Sequence, residues 1–136
     1  MQYFLAKSEP ASYSIDQLQS DKKTSWDGVR NPQALRAIRE MRPGDHVFVY
    51  HSGAESAVVG VAKVVSEPRP DPKDEKSVTV DFEFLSKLKT PVSLKEIKES
   101  HLFDDWSLVR QSRLSTMQAP PEFVKWIKDR SPGEKI

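Results

Sequence analysis

Apolar and polar residues alternate most regularly over residues 78–84, where every second residue is Val or Phe. A period of two indicates a strand with one buried face. Residues 47–51 and 57–65 are nearly continuous in apolar residues and are separated by a short polar segment, so they predict a β-hairpin. Residues 3–7 predict a first strand. Residues 67–76 contain three prolines and predict a surface loop.

Capping signals predict short helices between these strands. Residues 14–17 and 93–96 both have a capping-box pattern, which predicts helices over residues 15–19 and as far as about Ser100. Asn31 followed by Pro32 places an N-cap and a proline at the first helical position, and apolar residues then recur at helical spacing. Pro121 predicts the start of a last helix.

The chain is long enough for one hydrophobic core, and no repeat or linker interrupts it. Residues 1–136 are therefore predicted to form a single α+β domain built on a small, strongly bent sheet. The hydrophobic fraction is 37% and the charged fraction 30%, which is typical of a soluble globular protein.

Several classes of protein are excluded or disfavoured by composition. The absence of cysteine excludes disulfides, zinc–thiolate sites and thiol catalysis. No apolar stretch approaches the roughly 20 residues of a membrane span, and the N-terminus lacks a signal-peptide pattern, so a cytoplasmic protein without a membrane partner is expected. A net charge of +1 disfavours a long phosphate-tracking surface but permits a local basic patch. A monomer is the simplest expectation.

No catalytic constellation is visible in the chain. The three histidines, His46, His51 and His101, show no metal-ligand spacing, and there is no nucleophile elbow, P-loop or dinucleotide fingerprint. We therefore expect no catalytic residue, no metal and no cofactor. Lys7 and Glu9 could form an acid/base pair, although an ion pair at a strand end is the simpler explanation.

The polar run from Trp26 to Asn31 is the most distinctive candidate for recognition. It contains a flat aromatic ring, a glycine, an arginine and the N-cap asparagine. A planar ligand such as a nucleobase needs an aromatic face, and stacking on one is worth roughly 1–3 kcal/mol. Taken alone, Trp26 is more typical of a core position, and the simplest role of Asn31 is capping.

Eight segments together resemble the EVE domain of the PUA-like superfamily. They occur in the family's order over nearly the whole chain. The matching segments are Lys7-Ser8-Glu9-Pro10, Tyr13-Ser14, Trp26 to Asn31, Met41-x-x-Gly44-Asp45, Tyr50-His51-Ser52, Val59-Gly60-Val61-Ala62, Pro91-Val92-x-Leu94 and Ser112-Arg113-Leu114-Ser115.

The resemblance implies a PUA-like fold, in which a mixed sheet of five or six strands is strongly bent and barrel-like and is surrounded by short helices. It also implies a pocket for a modified nucleobase, since the related SRA and YTH domains hold a flipped methylated base. The residues carried over to that pocket are Lys7, Ser8, Glu9, Tyr13, Trp26, Val29, Arg30, Asn31, Tyr50, His51, Ser52, Ser112, Arg113, Leu114 and Ser115. A basic rim is expected from Lys22, Lys23, Arg30, Arg36, Arg39, Arg110 and Arg113.

The function implied is a bacterial binding module for a modified base, such as methylated or hydroxymethylated cytosine, in DNA. A nuclease or another effector is a possible partner. Three alternatives stay open at the level of sequence. They are a reader of modified RNA, as in YTH domains, an amidohydrolase like an ASCH relative that uses Lys7 and Glu9, and a module for a small molecule or protein partner.

Overall fold

A seven-stranded mixed sheet forms the centre of the computed structural model, which describes residues 1–136. Its strands lie in the spatial order β2-β6-β4-β3-β1-β7, and β5 pairs with β6. The β1–β3 pair is parallel and the other pairs are antiparallel. The strands are β1 (Tyr3–Ser8), β2 (Lys23–Trp26), β3 (His46–His51), β4 (Ala57–Val64), β5 (Arg69–Asp71), β6 (Asp74–Ser93) and β7 (Thr116–Gln118).

The helices are short, and the capping predictions are confirmed. The side chains of Ser14, Asn31 and Ser93 each accept a hydrogen bond from a backbone N–H in the first turn of the helix that follows. Not one helix has the combined length and apolar character that a membrane crossing needs. The helices are α1 (Ile15–Asp21), α2 (Pro32–Arg39), α3 (Leu94–Glu99), α4 (Ser107–Arg110) and α5 (Pro121–Arg130).

The 20-residue strand β6 is shared by three partner strands. Its first part pairs with β5, its middle with β2 and its second half with β4. The register with β4 shifts twice, between Val58 and Gly60 and between Val61 and Ala62. Such bulges bend a strand and increase its twist, which gives the strongly bent sheet that the sequence predicts.

The core lies between the sheet and the helices that pack against it, and all five helices contribute buried residues. The strands β3 and β4 are buried on both faces along most of their length, in agreement with their continuous apolar sequence. Phe123 of α5 lies edge-on to Phe48 of β3, with 5.3 Å between ring centroids. The ring centroid of Trp106 lies 4.6 Å from that of Phe123, and Trp106 belongs to this core.

Two sequence-based expectations are wrong. Residues 67–76 do not form a loop throughout, because they contain β5 and the start of β6. The polar residues before Trp26 form β2, so the sheet has seven strands rather than five or six. The strands β2 and β5 lack a clear apolar period because polar side chains on them have polar partners on β6, the strand with which each pairs. Ser25, for example, donates a hydrogen bond to Asp81 at 2.8 Å.

Gly60 is required by the close approach of α1 to β4. A Cβ at this position would lie 2.5 Å from Ile15 Cδ1 and 2.7 Å from the carbonyl oxygen of Ser86. We therefore expect Gly60→Ala to destabilise the fold by about 1–3 kcal/mol through overpacking, measured as a lower midpoint in urea unfolding. Adding Ile15→Val removes the nearest clashing atom and should recover part of the loss. An unchanged midpoint in the single variant would contradict this packing.

Candidate functional site

A polar cavity of about 530 Å³ opens where the end of β1 approaches β2 and the loop that follows it. This volume is within the usual range for a small-ligand pocket. Its lining residues come from four separate segments of the chain. They are Lys7, Ser8, Ser12, Tyr13, Thr24, Ser25, Trp26, Asp27, Gly28, Val29, Arg30 and Ser115.

Trp26 contributes the largest aromatic surface of the cavity. It is the last residue of β2 and pairs with Val80 of β6. Its ring lies 5.1 Å from the ring of Phe82 at an angle of 35°, and Phe82 is completely buried. The indole is therefore supported from the core, while its own side chain stays partly exposed and lines the cavity. Trp26 therefore packs against the core and also lines the cavity.

The loop from Asp27 to Arg30 is fixed at several points. Gly28 has a φ of +76°, a left-handed conformation that favours glycine. The Ser77 hydroxyl donates a 2.6 Å hydrogen bond to the carbonyl oxygen of Val29, and both residues are buried. Beyond the loop, the Asn31 side chain accepts from the N–H groups of Gln33 and Ala34 at 2.8 and 3.1 Å. The cap and the Ser77 contact hold this wall of the cavity in place.

Lys7 brings a positive charge to the lining of the cavity. Its Nζ donates to the carbonyl oxygen of Ser112 at 3.0 Å and lies 5.5 Å from the ring centroid of Tyr50. Partial burial lowers the pKa of Lys7 from its usual value. The ammonium has three donors, and only one of them is occupied by Ser112, so others are available to an acceptor in the cavity.

Tyr13 shares the cavity with Trp26, whereas Tyr50 does not. The Tyr13 hydroxyl donates to Asp21 Oδ2 at 2.9 Å, and burial raises the pKa of this tyrosine. Its carbonyl oxygen accepts a 2.7 Å hydrogen bond from the Ser8 hydroxyl, which holds residues 9–13 against the end of β1. Tyr50 is buried below Lys7, and burial raises its pKa as well.

Two charged side chains at the cavity differ in their pairing. Asp27 makes no hydrogen bond and no ion pair through its carboxylate, although it lines the cavity. Arg30 lies 3.7 Å from Asp74, measured from Nε to Oδ2, and its side chain is 85% exposed. Such an exposed pair holds the arginine only weakly. The cavity therefore offers both a free carboxylate and a weakly held guanidinium.

His51 and Ser52 lie outside the cavity and support its surroundings. The buried ring of His51 accepts a 3.0 Å hydrogen bond at Nε2 from the backbone N–H of Ile15. Because Nε2 is the acceptor, Nδ1 carries the proton and donates to Glu55 Oε1 at 2.9 Å. The Ser52 N–H donates to the carbonyl oxygen of Ser8. These contacts fix the start of α1 and the end of β1.

The last four residues predicted for the site, Ser112 to Ser115, lie in different surroundings. Ser115 lines the cavity, and its carbonyl oxygen accepts from the Lys7 N–H at 2.8 Å. Ser112 contributes only its carbonyl oxygen, as the acceptor for the Lys7 ammonium. Leu114 is buried in the core, and Arg113 is exposed and outside the cavity lining.

Lys7 and Glu9 do not form the acid/base pair that an enzyme of the ASCH type would need. Glu9 is exposed in the turn after β1 and does not line the cavity. Its carbonyl oxygen accepts from the N–H groups of Ser12 and Tyr13, while Lys7 donates to Ser112 instead. No group of three or more acidic or histidine side chains is placed to hold a metal ion.

Sequence reasoning misses five residues that line the cavity, namely Ser12, Thr24, Ser25, Asp27 and Gly28. Asp27 and Gly28 lie inside the run from Trp26 to Asn31, so their position in that run could have predicted that they line the cavity. Three arginines of the expected basic rim do not share one cavity. Arg30 precedes α2 and Arg36 and Arg39 lie on it, yet the three line three different cavities.

Comparison with known proteins gives a consistent result. The family model of the EVE domain matches residues 2–130. Thymocyte nuclear protein 1 of Rattus norvegicus is 35% identical over 73% of this chain, and the match spans 56% of that relative's length. The chain therefore corresponds to only part of the curated relative.

Solved structures extend the comparison. The NMR structure of a protein from Rhodopseudomonas palustris is 37% identical, with a TM-score of 0.90 over 96% of this chain and 93% of that chain. Human THYN1, crystallised in complex with DNA containing 5-methylcytosine, is 26% identical, with a TM-score of 0.87 over 99% and 100% of the two chains. An ASCH protein of Zymomonas mobilis shares only the fold, at 10% identity and a TM-score of 0.59. The chain belongs to the EVE domain family.

Proposed function

We propose that this chain binds DNA that carries a modified base, and that the base is held flipped out of the strand in the Trp26 cavity. The observation that carries the proposal is the partly exposed indole of Trp26, backed by Phe82 at 5.1 Å and lining a cavity of about 530 Å³. The similarity to human THYN1, whose crystal structure contains 5-methylcytosine DNA, supports the same ligand.

The energetics of base flipping agree with a pocket of this kind. Extruding a base costs a few kcal/mol, and the pocket must recover that cost. Stacking on an aromatic ring returns roughly 1–3 kcal/mol. Hydrogen bonds from the Lys7 ammonium, from the serine and threonine hydroxyls and to the Asp27 carboxylate supply the remainder. Because Val29 and Trp26 are already fixed by the fold, little ordering is needed on binding.

Recognition of a methyl group through burial alone is weak. One buried methyl adds roughly 0.8 kcal/mol, which corresponds to about a fourfold preference. Val29 is the buried apolar side chain of the cavity and is the natural contact for such a group. A larger discrimination must come from hydrogen bonding at the edge of the base.

Asp27 supplies the acceptor for that discrimination. Cytosine and 5-methylcytosine present an amine at position 4, which donates to a carboxylate. Thymine carries the same 5-methyl group but presents a carbonyl oxygen at position 4, which would repel the carboxylate. We assign Asp27 to the exocyclic amine of a modified cytosine.

The predicted residues outside the cavity act indirectly in this proposal. Asn31 holds the loop through the α2 cap, Tyr50 supports Lys7, and His51 fixes the start of α1. The domain would act without catalysis of its own and as a single unit, and a separate effector such as a nuclease would carry out any reaction on the marked DNA.

Trp26→Ala should weaken binding of an oligonucleotide containing 5-methylcytosine by roughly 5- to 150-fold, because the stacking surface is removed. Trp26→Phe keeps an aromatic face and should retain most of the affinity. Fluorescence anisotropy with methylated and unmethylated strands of one sequence measures both effects. Far-UV circular dichroism shows whether each variant is folded.

Equal affinity for methylated and unmethylated DNA, unchanged in Trp26→Ala, would refute base binding in this cavity. A matched RNA strand belongs in the same experiment, since the 2′-hydroxyl distinguishes the two nucleic acids. Tighter binding of the modified RNA, again dependent on Trp26, would replace DNA with RNA as the ligand.

Asp27→Asn should reduce the preference for 5-methylcytosine over thymine. A good hydrogen-bonded contact to a base edge discriminates by about 1–3 kcal/mol, and an amide can turn its NH₂ group toward the thymine carbonyl. The preference for 5-methylcytosine over cytosine, which depends on the methyl contact, should stay the same. Competition binding with three strands that differ only at the central base measures these ratios.

Glu9→Gln is the matched control, because it removes the same charge from an exposed residue outside the cavity. If Asp27→Asn and Glu9→Gln change the preference for 5-methylcytosine over thymine equally, Asp27 does not read the amine.

A further inference from the structure

A second cleft, of about 430 Å³, contains three arginine side chains that converge from two segments. Arg39 and Arg42 come from the end of α2 and the turn after it, and Arg69 comes from β5. Val78 is the one non-proline apolar residue in its lining, so the cleft is not suited to an apolar ligand. Its complete lining is Arg39, Arg42, Glu67, Pro68, Arg69, Pro70, Glu75, Ser77 and Val78.

Two of these guanidinium groups are held in position by the fold. Arg42 Nη1 donates to the carbonyl oxygens of Arg39 and Met41 at 2.8 and 2.6 Å. Arg69 Nη2 donates to Asp81 Oδ1 at 2.9 Å, and this hydrogen bond lowers the pKa of Asp81. A guanidinium has five N–H donors, so each arginine keeps free donors after these contacts.

The charges of the cleft are unevenly paired. Glu67 lies 3.8 Å from Arg42 and is largely exposed, and Glu75 forms no ion pair. Arg39 has neither a hydrogen bond nor an ion pair for its guanidinium. Arg42 pairs with Glu67 and Arg69 pairs with Asp81, so Arg39 is the one guanidinium of the three without a charged partner. Planar forks of this kind match the geometry of phosphate oxygens.

The cleft shares a wall with the Trp26 cavity. Ser77 lines the cleft, and its hydroxyl donates to the carbonyl oxygen of Val29, which lines the cavity. The helix α2 runs from the cavity to the cleft. Its eight residues correspond to about 12 Å. One strand of duplex DNA advances about 3.4 Å per nucleotide, so the cleft lies roughly three or four nucleotides from the cavity.

We propose that this arginine cleft binds a backbone phosphate of the same DNA strand whose modified base occupies the Trp26 cavity. The inference rests on the proposed function. Base recognition then belongs to the Trp26 cavity and the phosphate contact to the arginine cleft, and α2 connects the two sites. The phosphate contact fixes the register of the strand and carries no sequence information of its own.

The test uses the full chain and a 5-methylcytosine oligonucleotide that extends at least six nucleotides, roughly twice the span above, to each side of the base. The double variant R39Q/R42Q should lower the slope of log affinity against log salt by about one for each phosphate that the arginines no longer neutralise. Arg36→Gln is the control, because it removes one positive charge from α2, the helix that also carries Arg39, but lines a different cavity. Its slope should equal that of the wild type.

Two further ligands separate the cleft from the base cavity. Free 5-methyl-2′-deoxycytidine has no phosphate and should bind R39Q/R42Q as it binds the wild type. A strand cut to one nucleotide on each side of the base should also be insensitive to the double variant. Thermal unfolding of R39Q/R42Q tests that its fold is intact.

Equal salt slopes for R39Q/R42Q and the wild type would overturn the proposal, as would equal reductions of the slope in R39Q/R42Q and Arg36→Gln. Failure of base recognition has a different signature, since nucleoside binding would then be absent or unaffected by Trp26→Ala. Weaker nucleoside binding in R39Q/R42Q would show that the arginines act through the structure of the cavity, and it too would overturn the proposal.

Discussion

The pairing of β6 with three other strands is the constraint on which the rest of the structure depends. Residues at its start pair with β5, those in its middle with β2 and the remainder with β4. A flat strand of 20 residues could not serve all three partners around one compact core. The two register shifts against β4 supply the bend, and Gly60 allows α1 to pack against that part of the sheet.

The cavity is a consequence of this arrangement. Trp26 reaches it because β2 pairs with β6, which places the indole beside the buried ring of Phe82. The strand β6 also provides Ser77, whose hydroxyl fixes the loop after β2 by donating to the carbonyl oxygen of Val29. One strand thus positions both the aromatic wall and the loop beside it, so the cavity is formed before any ligand arrives.

In the proposed function, the distribution of charge lets a nearly neutral protein bind a polyanion. The net charge is only +1, yet three arginines converge on one cleft beside the cavity. Such local convergence would give a phosphate contact at one point without a broad basic surface. Affinity for unmodified DNA should then be low, because few phosphates are neutralised. For the proposed recognition of a rare modified base, weak binding to unmodified DNA favours the specific site over the many competing sites.

The regular elements follow from sequence wherever one physical signal dominates. The alternation at residues 78–84, the apolar runs of the hairpin and the caps at Ser14, Asn31 and Ser93 all predict what the structure contains. Three strands, β2, β5 and β7, escape prediction. Polar partners across the strand pair satisfy side chains of β2 and β5, and such pairing leaves no hydrophobic period, while β7 has only three residues. The family is also available from sequence, since eight ordered segments resemble the EVE domain.

The site itself is only partly available from the sequence. The predicted residues that share one cavity are Lys7, Ser8, Tyr13, Trp26, Val29, Arg30 and Ser115. His51 and Tyr50 are predicted as well, but the fold uses the first to hold α1 and the second to support Lys7. The sequence by itself determined which residues could bind a ligand and where the main elements lie, because periodicity and capping are local. Only the tertiary structure decided which polar side chains face a common cavity, because hydrogen-bond partners such as Ser77 and Val29 are 48 residues apart in the chain.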